Sequence, residues 1–449
     1  MNLYTRLIAG AVFPLHEQLK RHTTVSALRT MEKAQWLSQD ELAGRQLDSL
    51  REFLVRVGRD VPYYRDLFAR LKFDPASLTS LEDLQVLPLT GKAEIRANTE
   101  ALKALNAGPL DRFSTGGSTG KPLVFYLGKE RVSHDVAAKW RATRWWDVDI
   151  GDQEIVLWGS PIELGSQDRV RLLRDKLLRT ELLSAFEMSN ANLLRFTQRI
   201  RQFRPRMLFG YPSSIALLAD YVLENGYKVD NLGIRVIFVT SERLYEHQQQ
   251  RIEEAFGCPV ANGYGGRDAG FIAHQCPSGG MHITTEDIVV EIVDSDGQVL
   301  PVGEKGEIVI THLRTGDFPF IRYPTGDVGS LSQEPCACGR GLPLLSELEG
   351  RTTDFVHAAD GTVLHGLALI YVLREMPEIE EFKIIQESVT EISVQWVSSL
   401  ENAVELERTV TEQFRRRLGD ALVVNFEYVS KIEREASGKF RYVISRVGS

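Results

Sequence analysis

The residues best suited to chemistry stand in Ser114-Thr115-Gly116-Gly117-Ser118-Thr119-Gly120-Lys121, where eight positions hold three glycines, four hydroxyls and one cation. Glycine lets backbone N–H groups approach an anion and take φ > 0, hydroxyls donate to phosphate oxygens, and successive N–H groups form a concave anion nest. The apolar run Leu123 to Tyr126 follows directly, as a strand would. A nucleotide triphosphate is the natural guest of such a loop. The Walker A loop is excluded, because Lys121 is followed by Pro122 and Thr115 stands where its first glycine is required.

Later stretches carry polar residues in a fixed order. They are Ser241-Glu242 after the apolar run Arg235 to Thr240, Tyr264-Gly265-Gly266-Arg267-Asp268, Tyr323-Pro324-Thr325-Gly326-Asp327, Arg351-Thr352-Thr353-Asp354, and Gly438-Lys439 near the end. Together with T-G-G-S-T-G-K-P, this order resembles the adenylate-forming enzymes. The wording is most similar to the phenylacetate-CoA ligase branch, which includes CapK-type proteins. Pro62-Tyr63-Tyr64-Arg65 and Leu87-Pro88-Leu89-Thr90 add to that likeness.

The resemblance implies an AMP-forming ligase that joins a carboxylic acid to ATP-Mg²⁺ as an acyl-adenylate and then passes the acyl group on. Coenzyme A is the default acceptor; an amine is the alternative, and a non-catalytic nucleotide-binding homologue is a third reading. By the same resemblance Tyr264 lies against adenine with Gly265 beside it, Ser241 and Glu242 run past adenine and the acyl pocket, and Asp268 coordinates Mg²⁺. Asp327 accepts from both ribose hydroxyls, as suits an acceptor-only carboxylate. Arg351 contacts ribose, Asp354 is the hinge, and Lys439 stabilises charge on the carboxylate and α-phosphate. Arg267 replaces the hydroxyl usual at its position and could pair bidentately with a phosphate or carboxylate. Asp268 is one methylene shorter than the usual Glu.

Cysteine gives a separate signal. His274, Cys276, Cys336 and Cys338 supply one imidazole and three thiolates, a set that suits a closed, tetrahedral, structural Zn²⁺ site. His282 competes for the place of fourth ligand. Some members of the phenylacetate-CoA ligase branch carry a similar cysteine set. Cys258, between Gly257 and Pro259, is expected in the core.

The elements that must position these residues follow from pattern. Residues 1 to about 105 read as helical: Ser38 and Glu41 form an S-x-x-E capping box, after which Leu42, Leu47, Leu50, Leu54 and Val57 recur at helical spacing until Pro62. Between residues 133 and 260 apolar strands alternate with helices, which indicates parallel α/β structure. From Glu286 hairpins take over, centred on the turn Ser295-Asp296-Gly297. The expected fold is α/β: a large domain over 1–350 with parallel sheets and a β subdomain, and a small, mobile α+β domain over 351–449, the adenylate-forming arrangement that the resemblance also implies. Aromatics such as Trp140, Trp145, Phe209 and Tyr211 either line an acyl pocket or fill core.

Composition narrows the partners. With 53 Lys+Arg against 61 Asp+Glu among 449 residues the chain is mildly acidic and lacks a basic block, which argues against nucleic acid. Four cysteines are too few for a disulfide framework and suit a reducing, cytoplasmic setting. The apolar run Leu7 to Leu15 is too short to span a bilayer. Leu3, Leu7, Ile8, Ala11 and Val12 on one helical face leave a peripheral membrane contact through residues 3–15 open beside core packing, and the sequence leaves a homodimer open as well.

Overall fold

The helix Gln39–Asp60 starts where the sequence marks it. Ser38 Oγ accepts from the Glu41 N–H at 3.3 Å while Glu41 Oε2 accepts from the Ser38 N–H at 3.0 Å, so each residue satisfies the other's end of the turn. Pro62 ends that helix and opens the next, Pro62–Leu71, at a position whose N–H would have had no partner. In the computed structural model the described residues are 2–115, 123–159, 169–349, 355–361, 363–374, 376, 378–398, 403–430, 432 and 442–447. Within them the helical reading of the N-terminal hundred residues holds, through Leu3–Leu7, a π-helical turn Ile8–Val12, Phe13–Leu19, Thr24–Ala34 and the helices above.

Ile8 does not share the outward face. It is buried at 2 %, in the space a Cβ on Gly151 would need, whereas Leu3, Leu7, Leu15 and Leu19 are exposed. Among the described residues no helix is long and apolar enough to cross a membrane.

The chain divides into two compact units. One gathers Met1–Thr115, Leu123–Gly151 and Ala261–Gly350; the other contains Asp152–Val260 and Arg351–Ser449. The first unit carries an antiparallel sheet in the order Ile288–Val293, Gly306–His312, Tyr323–Leu331, Leu344–Glu349, Met281–Ile283, Gly270–Gln275, Val260–Gly266. The expected hairpin is its outer pair, Ile288–Val293 with Gly306–His312. Leu50, Leu54, Val57 and Tyr64 of the helices join Phe125, Ile308, Phe320 and Tyr323 in one core. Each such side chain contributes roughly 1.5–3 kcal/mol on burial. The hairpin of Asp111–Thr115 and Leu123–Leu127 belongs here too, with Thr115 paired to Leu123.

In the second unit the strands Val236–Thr240, Met207–Gly210, Glu154–Trp158 and Thr180–Ser184 lie in that order and run parallel, as the alternation of strand and helix requires. Strand Val236–Thr240 is buried along its whole length, which explains its unbroken apolar sequence. The strand Thr180–Ser184 and helix Asn190–Phe203 were not legible from pattern. Towards the C-terminus, strands Val423–Tyr428, Glu391–Ser398, Ile379–Ser388 and Val443–Ser445 form a mixed sheet with helices Leu367–Arg374 and Val404–Leu418. This is the α+β plate that the pattern there indicates.

Candidate active site and cysteine cluster

Tyr264 and Asp327 come from strands that are not neighbours, yet they meet. The Tyr264 hydroxyl lies 3.1 Å from Asp327 Oδ2 and 3.2 Å from Thr325 Oγ1. Asp327 is aimed by a bulge: Val309 pairs with Pro324 and Glu307 with Val328, so Thr325-Gly326-Asp327 loops out of register, with Gly326 at φ 80°. Bulges of this kind re-aim side chains beside binding sites. Thr325 pins the loop by donating to the Ile308 carbonyl at 2.9 Å and accepting the Asp327 N–H at 3.2 Å.

The second carboxylate is held in the reciprocal way. Tyr323, from the same strand as Asp327, donates to Asp268 Oδ2 at 2.6 Å, and Asp268 follows Tyr264 by four residues. Each motif's tyrosine therefore grips the other motif's aspartate. Arg267 and Asp268 sit in the turn between Val260–Gly266 and Gly270–Gln275, and their side chains and that of Asp327 are half-buried. A bulge after Tyr264 lets the hairpin close: a Cβ on Gly265 would stand 2.1 Å from the Gly270 carbonyl. Sequence reading identified both aspartates and Tyr264. It attached no chemistry to Tyr323, although Tyr323 opens the second motif.

Ser241 and Glu242 lie in the other unit, at the carboxyl end of the parallel strand Val236–Thr240, where ligands bind in open α/β sheets. Ser241 takes φ 72°, a conformation unfavourable for a side chain other than glycine. Glu242 Oε2 accepts from Ser213 Oγ at 2.5 Å, which ties it to the first turn of helix Pro212–Glu224. Trp158 stacks on Tyr211 at 4.1 Å and lies 5.9 Å from Phe209, and Tyr211 is buried in the core of this unit. Trp145 lies instead against the His282 ring, with centroids 5.4 Å apart, and Trp140 is buried. The loop Gly116, Gly117, Ser118, Thr119, Gly120 and Lys121, together with Arg351, Asp354 and Lys439, lies outside the described residues; Thr115 is described only as the last residue of its strand.

The cysteine cluster forms with a different histidine. Cys276, His282, Cys336 and Cys338 bring their ligand atoms within 4.8 Å of one another; Cys276 Sγ is 3.6 Å from Cys336 Sγ and His282 Nε2 is 3.2 Å from Cys338 Sγ. His274 stays inside strand Gly270–Gln275, fully buried and stacked on Phe271 at 5.3 Å. The reason is the turn after Cys276. The Gly279 N–H donates to the Cys276 carbonyl at 2.8 Å, the chain doubles back, and His282 returns on the next strand beside the thiol. Proximity in sequence favoured His274; the turn Pro277-Ser278-Gly279-Gly280 was the signal for His282. Gly280 is needed there, since its Cβ would lie 2.7 Å from Cys336 Sγ.

The electrostatics suit a metal. Burial holds the His282 imidazole down to about 4, in the neutral form a ligand needs, and its Nδ1 lies 3.3 Å from the Leu342 carbonyl, which leaves Nε2 to face the thiols. Without a cation, burial and the neighbouring sulfurs push the Cys276 thiol up to about 12. For Cys338 burial acts upward but is outweighed by hydrogen bonds from Arg340 and the other cysteines, and the net direction is down. Four protein donors in a tetrahedron, with bonds of about 2.3 Å to sulfur and 2.0 Å to nitrogen, would stand roughly 3.5–3.8 Å apart, so this set fits Zn²⁺.

The two tyrosine–aspartate motifs on one antiparallel sheet and, in the other unit, a parallel sheet with a strained serine at its carboxyl end suit a nucleotide-activating protein of the adenylate-forming kind. Residues 114–313 match the family described as AMP-binding enzyme, and residues 356–446 match the CapK C-terminal domain. The chain is 24 % identical to Protein CapK of Staphylococcus aureus over 91 % of its own length and 90 % of that protein. It is 26 % identical to the phenylacetate-coenzyme A ligase of Thermus thermophilus over 86 % and 85 % of the two chains. Its fold is similar to that of a 2-hydroxyisobutyryl-CoA ligase crystallised with 2-HIB-AMP and CoA, with a TM-score of 0.64, 22 % identity and 92 % of each chain covered. The chain belongs to the adenylate-forming superfamily, in its phenylacetate-CoA ligase-like and CapK-like branch. It is an ATP-dependent, AMP-forming ligase.

Proposed function

We propose that the protein activates a small-molecule carboxylic acid as its acyl-adenylate and transfers the acyl group to coenzyme A. The reciprocal pairing of Tyr264 with Asp327 and of Tyr323 with Asp268 is the observation that carries this reading. It fixes two carboxylates, one at the end of each motif. In adenylation a substrate carboxylate oxygen attacks the α-phosphorus and pyrophosphate leaves, so the protein must grip ribose and base, neutralise phosphate charge and orient the acid. Asp327 accepts from the ribose hydroxyls, and Tyr264 lies against adenine. Asp268 holds Mg²⁺, which supplies charge neutralisation at the phosphates. Ser241 and Glu242 run past the base and the acid, Thr115 to Lys121 cradle the phosphates, Arg351 adds a ribose contact, and Lys439 stabilises the charge that develops between acid and α-phosphate. Arg267 pairs with a phosphate or with the substrate carboxylate.

Coenzyme A as acceptor rests on the phenylacetate-coenzyme A ligases among the relatives. The 351–449 segment would turn about Asp354 between the two half-reactions. A structural Zn²⁺ held by Cys276, His282, Cys336 and Cys338 completes the reading, with no open coordination position for water.

The test is pyrophosphate release across a library of carboxylic acids, with and without coenzyme A and amines. The expected result is release that depends on one class of acid, followed by a thioester. Release without any acid, or consumption of the adenylate by amines alone, would refute the acid-activating half or the acceptor half respectively.

A further inference from the structure

Two buried side chains grip the turn that carries Arg267 and Asp268. We propose that Tyr323 and Arg131 are positioning residues for adenylation, which together fix the Asp268 carboxylate in the orientation that receives Mg²⁺ with ATP. The proposal rests on the reading of Asp268 as the magnesium carboxylate.

Tyr323 acts on the carboxylate itself. It is 1 % exposed, and its hydroxyl reaches Asp268 Oδ2 at 2.6 Å, while Oδ1 accepts the Ala269 N–H at 3.1 Å. One donor on each oxygen sets the plane of the group. Each oxygen keeps a second lone pair, so the contacts orient the carboxylate without closing it to a cation. An aspartate reaches one methylene less far than a glutamate, so the placement of its turn decides where its oxygens stand.

Arg131 acts on the turn. It enters from helix Lys129–Arg144, is 1 % exposed, and donates from Nη1 to the Asp268 carbonyl and from Nη2 to the Arg267 carbonyl, both at 3.3 Å. Its Nε donates to Asp135 Oδ2 at 2.9 Å, and Asp135 Oδ1 lies 3.9 Å from His312 Nε2. The guanidinium charge is thereby balanced on one side while the fork holds two successive carbonyls on the other. An ammonium cannot span both, which is why arginine and lysine are not equivalent here. The hairpin makes room for this grip. Gly270 has φ 84°, and a Cβ there would meet His312 Nε2 at 2.8 Å and Arg131 Nη2 at 2.9 Å. A buried arginine is a costly way to fill a core, and an apolar residue of the same volume is often as stabilising. An arginine directed at the backbone beside Asp268 points to a geometric role.

The test is calorimetric ATP binding with and without Mg²⁺, which needs no knowledge of the acid. Asp268→Ala is the reference and should remove the gain in ATP affinity that Mg²⁺ confers. Tyr323→Phe should cut that gain about tenfold, the scale of one hydrogen bond to a charged group, with metal-free ATP affinity and thermal midpoint unchanged. Arg131→Lys should cut the gain likewise while lowering the thermal midpoint, because a buried ammonium cannot hold both carbonyls and Asp135, and neither change should alter the Mg²⁺ dependence further in an Asp268→Ala background, the signature of action through that carboxylate. If Asp268→Ala leaves the gain intact, the magnesium reading of Asp268 has failed and the proposal falls with it. If Asp268→Ala removes the gain but Tyr323→Phe preserves it, or if Tyr323→Phe weakens binding equally without metal, only the positioning role is overturned. Should Arg131→Lys fail to fold, Tyr323→Phe alone decides.

Discussion

The first unit carries two polar clusters on one antiparallel sheet, and they are built on opposite plans. In the tyrosine–aspartate pair each carboxylate accepts from a tyrosine hydroxyl of the other motif and is half-buried. In the cysteine cluster the four donors face one another within 4.8 Å. The first arrangement is suited to a ligand that comes and goes, the second to one that stays. Damage to the cysteine cluster should therefore appear as lost stability, and damage to the aspartates as lost affinity.

Removal of the proposed zinc is the strongest way to break that contrast. A structural zinc held by three thiolates and an imidazole would contribute on the order of 10 kcal/mol to the folded state. Chelation, Cys336→Ser or His282→Asn should each lower the thermal midpoint sharply and abolish zinc by elemental analysis, whereas His274→Asn should leave one zinc per chain. Retention of zinc by His282→Asn would show that the cluster recruits another ligand.

Acid should separate the two regions next. Burial, with Arg141 adding to it, holds the His274 imidazole down to about 3, and burial with Arg131 holds that of His312 down to about 4. Both values lie below that of the unfolded chain, about 6.5, so the unfolded state takes up protons first as pH falls. Their contribution to stability is complete above about pH 6.5 and is lost on the way down towards pH 4. In zinc-free protein the His282 imidazole, also held down to about 4 by burial, adds to them, so with up to three protons involved unfolding free energy should drop by roughly 3 kcal/mol per pH unit near pH 5. Urea unfolding between pH 7.5 and 4.5 measures the slope. Zinc-loaded protein should fail earlier and more abruptly, since proton competition for its thiolates precedes titration of these histidines; identical pH profiles with and without zinc would remove the distinction.

Much of this architecture was legible because it is local. The Ser38–Glu41 box, the alternation before residue 260, the hairpin near Asp296 and both Tyr-x-x-x-Asp motifs depend on residues a few positions apart. What stayed hidden depends on register between distant strands. Nothing in either motif shows that Tyr264 crosses to Asp327 while Tyr323 crosses back, or that Arg131 reaches the same turn from a helix. The same blindness favoured His274, two residues before Cys276, over His282, which the Gly279-Gly280 turn brings round. For Ile8 core packing and an outward face are both open in the sequence, and the packing beside Gly151 decides for burial.

Asp327→Ala tests the affinity side of the contrast with a smaller effect. It removes an acceptor for two ribose hydroxyls and leaves Tyr264 to bond Thr325, so ATP affinity should fall about tenfold or more, equivalent to roughly 1.4 kcal/mol, while the thermal midpoint moves little. Titration calorimetry and thermal unfolding on one preparation compare the two. A large loss of stability with unchanged affinity would place Asp327 with the structural residues.

The smallest expected effect concerns the surroundings of the cysteine cluster. Arg340 follows Cys338 by two residues; its guanidinium carbon lies 4.7 Å from the Trp145 ring and 5.0 Å from that of Trp36, and its Nε donates to Gln35 Oε1 at 3.2 Å. Gln35 also accepts from Trp145 Nε1 at 2.7 Å, and Trp145 sets its edge against the His282 ring with centroids 5.4 Å apart. The chain of contacts therefore runs from arginine through tryptophan to the proposed ligand His282, and outer partners of this type orient the ligands of a metal. Lysine keeps the charge but loses the flat face that lies over the rings and the fixed direction of the Nε–H. Arg340→Lys should cost about 1 kcal/mol of stability, the scale of an exposed cation–π contact, and weaken zinc about tenfold in competition with a chromogenic chelator. ATP affinity should not change. A variant that loses ATP affinity in step with zinc would show that the cysteine cluster and the aspartate pair act as one site, and the contrast between them would have to be given up.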